Sequence, residues 1–264
     1  MGTDGLCAAG DCVKISRRMK PKIIAHRGDS EKCPENTLLA FKKAIEVGAD
    51  KIELDVHLSA DKKLVVHHDA YLGRTDDGEG LLLKKDSVYL KSLDAGKWKG
   101  EGFKGLRMPF LHEVFQEFGR EIEYEVEMKG FGEEFLDLLL AEVDRFNLID
   151  KIEFTSFHQY LIRELKVKRP EVMTGMFVLD YPGWMGADLG NMITESELVL
   201  GKIDVAHSSL GILTEEFMER LRARGILIHP RNCNSEMDIK RAINLRVDQF
   251  STNDPELAIK IRGR

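Results

Sequence analysis

Residues 51–56 read KIELDV, and the alternation within this run decides the fold. Side chains of a β-strand leave opposite faces in turn, so the three apolar residues share one face, and Glu53 and Asp55 share the other. The apolar face suits packing against helices, which directs the two carboxylates to the interior. A buried carboxylate is costly unless another charge compensates it, so the run predicts a strand that also contributes to a functional site.

Similar runs recur along the chain, and stretches with helical periodicity separate them. Thr37–Val47 has apolar residues at helical spacing with Gly48 suited to end the helix, and Thr214–Arg224 repeats this pattern. The predicted strands are Lys22–Ala25, Lys51–Val56, Glu121–Met128, Lys151–Thr155, Val172–Val178, Ile203–Ala206, Gly225–His229 and Val247–Ser251. Such β–α units in a chain of 264 residues predict an α/β fold, the TIM (β/α)8 barrel, which typically needs about 250 residues.

One segment interrupts the alternation. An extra short strand is predicted at Lys63–His67, and a long stretch rich in Gly and Lys follows it. We therefore predict a small insertion subdomain after the second strand, at about residues 70–110, because long insertions near a barrel mouth are usually functional. Residues 1–20 are polar and are predicted to be a flexible leader, which leaves residues 21–264 as one barrel domain.

Composition and charge narrow the possible partners. The formal net charge of −6 argues against a nucleic acid, because binding there depends on many Lys and Arg contacts to phosphate. No apolar run approaches the roughly 20 residues of a membrane span, and the N-terminus lacks a secretory signal, so we expect no stable membrane anchor. The 4 cysteines are too sparse for a disulfide framework, which favours a cytoplasmic location.

Acidic residues lie at the ends of neighbouring predicted strands. Glu53 and Asp55 lie on the second strand and Glu127 near the end of the third, and barrel enzymes place functional groups at these C-terminal ends. Carboxylates that converge there repel one another unless a cation is present. An all-oxygen set suits one divalent cation, Mg²⁺ or Ca²⁺, and Mn²⁺ also fits. Each motif alone is common on solvated strands, but the set together favours a site.

Histidines and cations accompany these carboxylates. His26 and Arg27 directly follow the first strand, His68 follows the extra short strand, and Lys129 lies two residues after Glu127. Two histidines beside a metal can supply a general base and a general acid. Arg27 and Lys129 are then expected to bind a negatively charged group, and a phosphate suits both.

These motifs resemble the glycerophosphodiester phosphodiesterase family. HRGDSEKCPENTLLAF (His26–Phe41), IELDVHLSADKKLVVHHDAYLGRT (Ile52–Thr75) and EVEMKG (Glu125–Gly130) resemble its three motifs. LDAGKWKGEGFKGLRMPFLHEV (Leu93–Val114) is similar to its insertion subdomain, and the resemblance extends over residues 23–259. It implies metal-dependent hydrolysis of a small-molecule glycerophosphodiester to sn-glycerol 3-phosphate and an alcohol. The implied roles are acid–base catalysis by His26 and His68, metal binding by Glu53, Asp55 and Glu127, and phosphate binding by Arg27 and Lys129.

Several readings stay open beside this one. A lysophospholipase D or a sphingomyelinase D-like enzyme would use the same chemistry, but would be expected to expose an apolar helix, and none is evident in the sequence. A phosphodiester-binding barrel without catalysis is a third reading. The sequence does not assign the acid and the base between the two histidines.

The chain departs from the family pattern toward its C-terminus. Arg231 stands where the family usually has Trp; we expect it to bind the substrate or its phosphate and to favour a more polar or anionic substrate. Glu125 stands where Asn is common and adds a carboxylate near the metal set. Asn253, in place of Asp, is interpreted as drift outside the chemistry. Surface or helix-end roles are expected for five histidines that are not in the matched set of site residues, His57, His112, His158, His207 and His229.

Overall fold

Parallel strands form the inner wall of the molecule. The computed structural model describes residues 20–182 and 184–263, so the leader predicted at residues 1–20 lies outside the described residues apart from Lys20. The described strands are β1 (Lys22–Ala25), β2 (Lys51–Leu58), β3 (Leu64–Val66), β4 (Tyr71–Leu72), β5 (Gly80–Leu81), β6 (Glu123–Met128), β7 (Ile152–Ser156), β8 (Met173–Phe177), β9 (Val205–Ser208), β10 (Leu227–Pro230) and β11 (Gln249–Thr252).

The order of the strands is that of a barrel. Hydrogen-bonded neighbours follow the order β10-β9-β8-β7-β6-β2-β1-β11, and β3 pairs antiparallel with β2. The two end strands also meet, because the Asp248 amide donates to the Ile228 carbonyl at 3.1 Å and the Cys233 amide donates to the Ser251 carbonyl at 2.8 Å. The predicted TIM barrel is confirmed.

Helices cover the outside of the barrel. The described helices are α1 (Leu38–Val47), α2 (Ser87–Ser92), α3 (Leu111–Phe118), α4 (Gly132–Arg145), α5 (Gln159–Lys168), α6 (Ala187–Leu200), α7 (Glu215–Ala223), α8 (Glu236–Asn244) and α9 (Pro255–Arg262). The side chain of Thr37 accepts a hydrogen bond from the Ala40 amide and begins α1, and Gly48 ends that helix at φ 95°. None of these helices is long and apolar enough to cross a bilayer.

Four strands begin two residues later than predicted, namely β6, β9, β10 and β11, and the last three share one local cause. The apolar residues Ile203, Ile226 and Val247 stand before these strands and are buried. Their amides donate to carbonyls of the preceding helices, those of Leu198, Leu221 and Ala242 respectively. These residues therefore cap the C-termini of helices and do not begin strands. A pattern of apolar residues alone does not distinguish the two cases.

The barrel wall is apolar outside and polar inside. Ile52 and Leu54 on β2 belong to the main core, which lies between the strands and the helices. On the inner side, Glu153 of β7 hydrogen-bonds Lys51 of β2 and Gln249 of β11. Strands that are not neighbours in the sheet make these contacts, so the side chains point into the barrel. The interior is therefore a polar core.

The segment between β3 and α3 has its own small apolar cluster. It contains β4, β5 and α2 and overlaps the insertion predicted at about residues 70–110. The cluster comprises Val65, Leu72, Leu82, Leu90, Leu93, Ala95, Met108 and Phe110. His68 lies at the start of this segment, directly after β3, and β3 pairs with the C-terminal end of β2, which places the start of the segment beside the mouth of the barrel.

Gly28 tests how tightly the loop after β1 packs on α1. Its φ is +83°, and a Cβ there would lie 2.5 Å from the Ala40 carbonyl carbon. Gly132 has the same φ of +83° but no described atom within 4 Å of the added Cβ, so Gly132→Ala is a matched control. We expect Gly132→Ala to lower the free energy of unfolding by about 1–2 kcal/mol from backbone strain. Gly28→Ala is expected to lower it by about 1–3 kcal/mol more from steric overlap, measured by urea unfolding. Equal losses in the two variants would contradict this account.

Candidate active site

Three carboxylates converge at the C-terminal ends of β2 and β6. Asp55 lies opposite Glu127 in the strand register, and Glu53 lies one inward position deeper. One oxygen from each of the three lies within 4.8 Å of the others, and all three side chains are buried. The structure therefore brings together the predicted metal ligands, and their oxygen-only donor set fits a hard divalent cation.

Burial and mutual repulsion disfavour the ionised form of these carboxylates, and a bound cation would stabilise it. Burial raises the pKa of Glu53 well above its ordinary value, and the neighbouring Asp55 adds to the effect. Burial, followed by Asp55, raises the pKa of Glu127 to about 7. Burial also opposes ionisation of Asp55, but Lys129 and Arg27 outweigh it and lower its pKa. Among the described residues, Asp55 Oδ1 lacks a hydrogen-bond partner, so an oxygen is available to a metal.

The loop after β1 holds these carboxylates in place. Its backbone is left-handed at Arg27 (φ 57°) and Asn36 (φ 56°). The Arg27 amide donates to Glu53 Oε2 at 2.8 Å, and the Asn36 amide group donates to Asp55 Oδ2 at 2.8 Å. The loop therefore provides one donor to each carboxylate of β2.

The two predicted phosphate-binding cations lie against the same carboxylates. Lys129 Nζ is 2.5 Å from Glu127 Oε1 and 3.3 Å from Asp55 Oδ1. Arg27 Nε is 3.4 Å from Asp55 Oδ2. In this arrangement both cations compensate the carboxylates directly.

His26 is held by an amide rather than by a carboxylate. Its Nδ1 lies 2.7 Å from Asn253 Oδ1, an atom that only accepts, so Nδ1 carries the proton. Its Nε2 then faces Glu53 Oε2 at 3.9 Å. Burial, and next the charge of Arg27, lowers the pKa of His26 to about 4, so the ring is neutral at pH 7. The interpretation of Asn253 as drift was wrong; its position directly after the last strand was a signal for the barrel mouth.

His68 is held by a chain of ion pairs. Its Nδ1 donates to Asp69 Oδ1 at 2.6 Å, and Asp69 also pairs with Arg74. Arg74 Nη2 donates to Glu35 at 2.8 Å, and Glu35 accepts from Arg27 Nη1 at 2.8 Å. Glu35 and Arg74 lie within the quoted motifs but were assigned no role from sequence. They connect the two loops that carry the histidines.

Arg231 lies on the opposite side of the mouth. Its guanidinium is 5.6 Å from the ring centre of Phe157 and 5.5 Å from that of Phe177. Lys129 Nζ lies 6.0 Å from the Phe157 ring, so the two cations flank one aromatic side chain. Arg231 is thus part of the mouth, on the side of β7 and β8.

Three of the histidines that were not assigned to the site are not surface residues. His57 is 9% exposed, and His207 and His229 are fully buried inside the barrel. The expectation of surface or helix-end roles was wrong for these three. His207 and His229 lie opposite each other on β9 and β10, where their predicted strand positions allowed an inward direction.

The fold and the mouth define a TIM-barrel enzyme with three clustered carboxylates and two histidines at its catalytic end. Residues 26–257 match a model of the glycerophosphoryl diester phosphodiesterase family. A glycerophosphodiester phosphodiesterase of Caldanaerobacter subterraneus is 34% identical over 254 residues, which cover 92% of this chain and 98% of the relative. The chain therefore belongs to this family, and it is an enzyme that hydrolyses phosphoric diesters.

Two further similar proteins differ in the activity or product that their names state. The structure of an Oleispira antarctica phosphodiesterase in complex with the product sn-glycerol-3-phosphate is 28% identical with a TM-score of 0.81, covering 92% of this chain and 96% of that one. A human lysophospholipase D is 27% identical over 283 residues, covering 90% of this chain and 85% of the relative.

Replacing Asn253 with Asp should shift the pH dependence of activity. A carboxylate that accepts from Nδ1 stabilises the protonated ring, so the pKa of His26 should rise from its lowered value of about 4. If neutral His26 is the active form, the acid limb of kcat/KM should move to higher pH by about one unit. Asn244→Asp, which makes the same change on the exposed end of α8, should leave the profile in place. An unshifted profile in Asn253→Asp would show that His26 does not set this limb.

Proposed function

We propose that the protein hydrolyses glycerophosphodiesters to sn-glycerol 3-phosphate and a free alcohol, by two-histidine acid–base catalysis with one divalent cation. One observation carries the proposal: His26 Nε2 lies 3.9 Å from Glu53, which is itself one of three clustered, buried carboxylates. An acid–base group thus adjoins a cation site at the mouth of the barrel. Membership of the family supports the substrate class.

Glu53, Asp55 and Glu127 would hold the cation. A bound Mg²⁺, Ca²⁺ or Mn²⁺ supplies positive charge to the phosphoryl oxygens of the substrate. Arg27 and Lys129 already form ion pairs with the carboxylates. When the phosphate binds, we expect each cation to contact the phosphate as well. Their role is then to orient the phosphoryl group and to offset its charge.

The two histidines have different partners, and this suggests different roles. His26 rests on a neutral amide and is neutral at pH 7, so it suits removal of a proton from the nucleophile, either water or the adjacent glycerol hydroxyl. His68 donates to Asp69, a contact that works to raise its pKa, although burial lowers the pKa of His68 overall; on the strength of this carboxylate partner we assign His68 the donation of a proton to the leaving alcohol. Arg231 is expected to contact the leaving group, because it lies across the mouth beside Phe157.

Release of glycerol 3-phosphate tests the proposal. Glycerophosphocholine and glycerophosphoethanolamine are incubated with the protein in EDTA, then with added Mg²⁺, Ca²⁺ or Mn²⁺. We expect turnover to be lost with the chelator and restored by at least one cation, because Glu53 and Glu127 have raised pKa values and need a charge partner. His26→Ala and His68→Ala should each lower kcat by about 10²–10⁴-fold under saturating metal.

His112→Ala is the matched control, because His112 is exposed on α3. It should retain full turnover. Near-normal turnover of His26→Ala under saturating metal would remove His26 from the mechanism. Absence of turnover with every cation, in folded protein, would leave a binding barrel or another phosphodiester substrate.

A second candidate is a lysophospholipase D activity. The expectation that no apolar helix is exposed was wrong: the loop after β8 and the start of α6 expose Leu179 (63%), Trp184 (79%), Leu189 (51%) and Met192 (61%). The loop follows the C-terminal end of a barrel strand and so lies at the mouth. Exposed apolar side chains beside an active site suit an acyl chain or a lipid surface. The human relative with this activity adds support.

Trp184→Ser tests this candidate. If Trp184 meets lipid, kcat/KM for lysophosphatidylcholine should fall about tenfold or more, which corresponds to about 1.4 kcal/mol of lost apolar contact. Turnover of glycerophosphocholine, which has no acyl chain, should stay unchanged. Val167→Ser, at another exposed apolar side chain (71%) near the end of α5, is the control and should affect neither substrate. An equal loss of activity on both substrates would contradict this candidate and would show that Trp184 supports the structure of the mouth.

A further inference from the structure

A second group of potential metal ligands lies inside the barrel, below the mouth. We name Glu125, Glu153, His207 and His229 the inner cluster. We propose that the inner cluster binds a transition-metal ion of the Zn²⁺ class, with Glu125, His207 Nδ1 and a ring nitrogen of His229 as ligands, and with Glu153 orienting His207. This site is separate from the oxygen-only site of Glu53, Asp55 and Glu127.

The spacing of the ligand atoms fits a four-coordinate metal. His207 Nδ1 lies 3.6 Å from Glu125 Oε1, and His229 Nδ1 lies 3.4 Å from Glu125 Oε2. The two imidazole ring centres are 4.1 Å apart. Ligands at about 2.0–2.2 Å from a tetrahedral Zn²⁺ are about 3.4 Å from one another. The side chains thus already stand at the separations that a small metal ion requires.

Polar atoms of the cluster lack other partners. Among the described residues, Glu125 Oε2, His207 Nδ1 and His229 Nε2 have no hydrogen-bond partner, although each side chain is at least 97% buried. A buried polar atom without a partner costs about 1–3 kcal/mol. A cation bound to Glu125 and His207 would satisfy both of their unpartnered atoms, and His229 would join it either through its unpartnered Nε2 or through Nδ1, which now accepts from Gln249 at 3.3 Å.

Glu153 explains why His207 presents Nδ1 to the cluster. His207 Nε2 donates to Glu153 Oε1 at 2.7 Å, so the proton is on Nε2 and the Nδ1 lone pair is free. Glu153 Oε2 in turn accepts from Lys51 and from Gln249, each at 2.8 Å. A carboxylate behind a ligating imidazole is the usual way in which a protein fixes the ring and its tautomer.

The backbone makes room for this pair. Gly175 on β8 faces it, and a Cβ at this position would lie 2.3 Å from His207 Nε2 and 2.9 Å from Glu153 Oε1. A residue other than glycine would therefore displace the hydrogen bond that orients His207. Lys51 offsets the charge of Glu153, which leaves the charge of Glu125 to balance the metal.

A cavity lies next to the cluster on the side away from the mouth. A cavity of about 1310 Å³ at the N-terminal end of the barrel is lined in part by Lys51, Glu153 and Gln249. Two of these residues touch His207 or His229. The donor set also differs, because imidazole nitrogens favour Zn²⁺ or Co²⁺ and carboxylates alone favour Mg²⁺ or Ca²⁺.

Cobalt binding tests the proposal on the whole protein. Co²⁺ is added to protein freed of metal by chelation, and visible absorption is recorded. A four-coordinate site with nitrogen ligands gives intense bands, whereas an oxygen-only six-coordinate site gives weak ones. We expect one equivalent of intensely absorbing Co²⁺ that one equivalent of Zn²⁺ displaces. Glu53→Gln, which alters the mouth site, should keep these bands.

Variants assign the bands to the inner cluster. His229→Gln and Glu125→Gln should each abolish the intense bands, and Glu153→Gln should weaken Co²⁺ binding by about 10–100-fold. His112→Asn, at an exposed histidine on α3, is the matched control and should bind Co²⁺ normally.

Two results would overturn the proposal. The first is wild-type protein that gives only weak bands, which would make the inner cluster a metal-free hydrogen-bonded core. The second is an unchanged spectrum in a folded His229→Gln variant. Because the titration is made on the wild-type protein, the first result is decisive even where a variant does not fold.

Discussion

Charge compensation of buried carboxylates governs the mouth of this barrel. At separations below 4.8 Å, two carboxylate charges repel by on the order of 3 kcal/mol at an effective dielectric constant of about 20. Arg27 and Lys129 offset part of this repulsion, and the loop that presents Arg27 must turn left-handed and pack closely on α1 to do so. The pKa values of Glu53 and Glu127 are still raised, which shows that the two cations do not fully compensate the burial and mutual repulsion of the carboxylates. A divalent cation would complete the compensation, and the same charge is what a phosphodiester requires.

The same constraint extends into the barrel. A TIM barrel usually fills its interior with branched apolar side chains, but here Lys51, Glu125, Glu153, His207 and His229 occupy it. Glu125 is on the inward face of β6, as Glu127 is, two residues earlier. The two candidate cation sites are thus successive inward layers of one barrel. They differ in donor atoms, oxygen alone at the mouth and nitrogen with oxygen below it, and this difference separates the ions that each prefers.

The two histidines at the mouth have different hydrogen-bond partners. His26 and His68 are both imidazoles at strand ends, but one meets an amide and the other a carboxylate. Burial lowers the pKa of both rings, and the partner of each ring, Asn253 for His26 and Asp69 for His68, works against that effect. The ion-pair chain through Glu35 and Arg74 joins the two loops, so the histidines are held relative to each other as well as to the carboxylates.

The amino-acid sequence by itself determined the barrel and the residues of its mouth. Strand periodicity is a local property, and a polar residue directly after a parallel strand lies at the catalytic end whatever the rest of the chain does. The contact between Asn253 and His26 depended on closure of the barrel, because β1 and β11 are neighbours only in the folded sheet. The meeting of Glu125, Glu153, His207 and His229 likewise depended on strand register across four strands. Register and closure arise from contacts between distant parts of the chain, so no local pattern encodes them, and only the tertiary structure decided these two features.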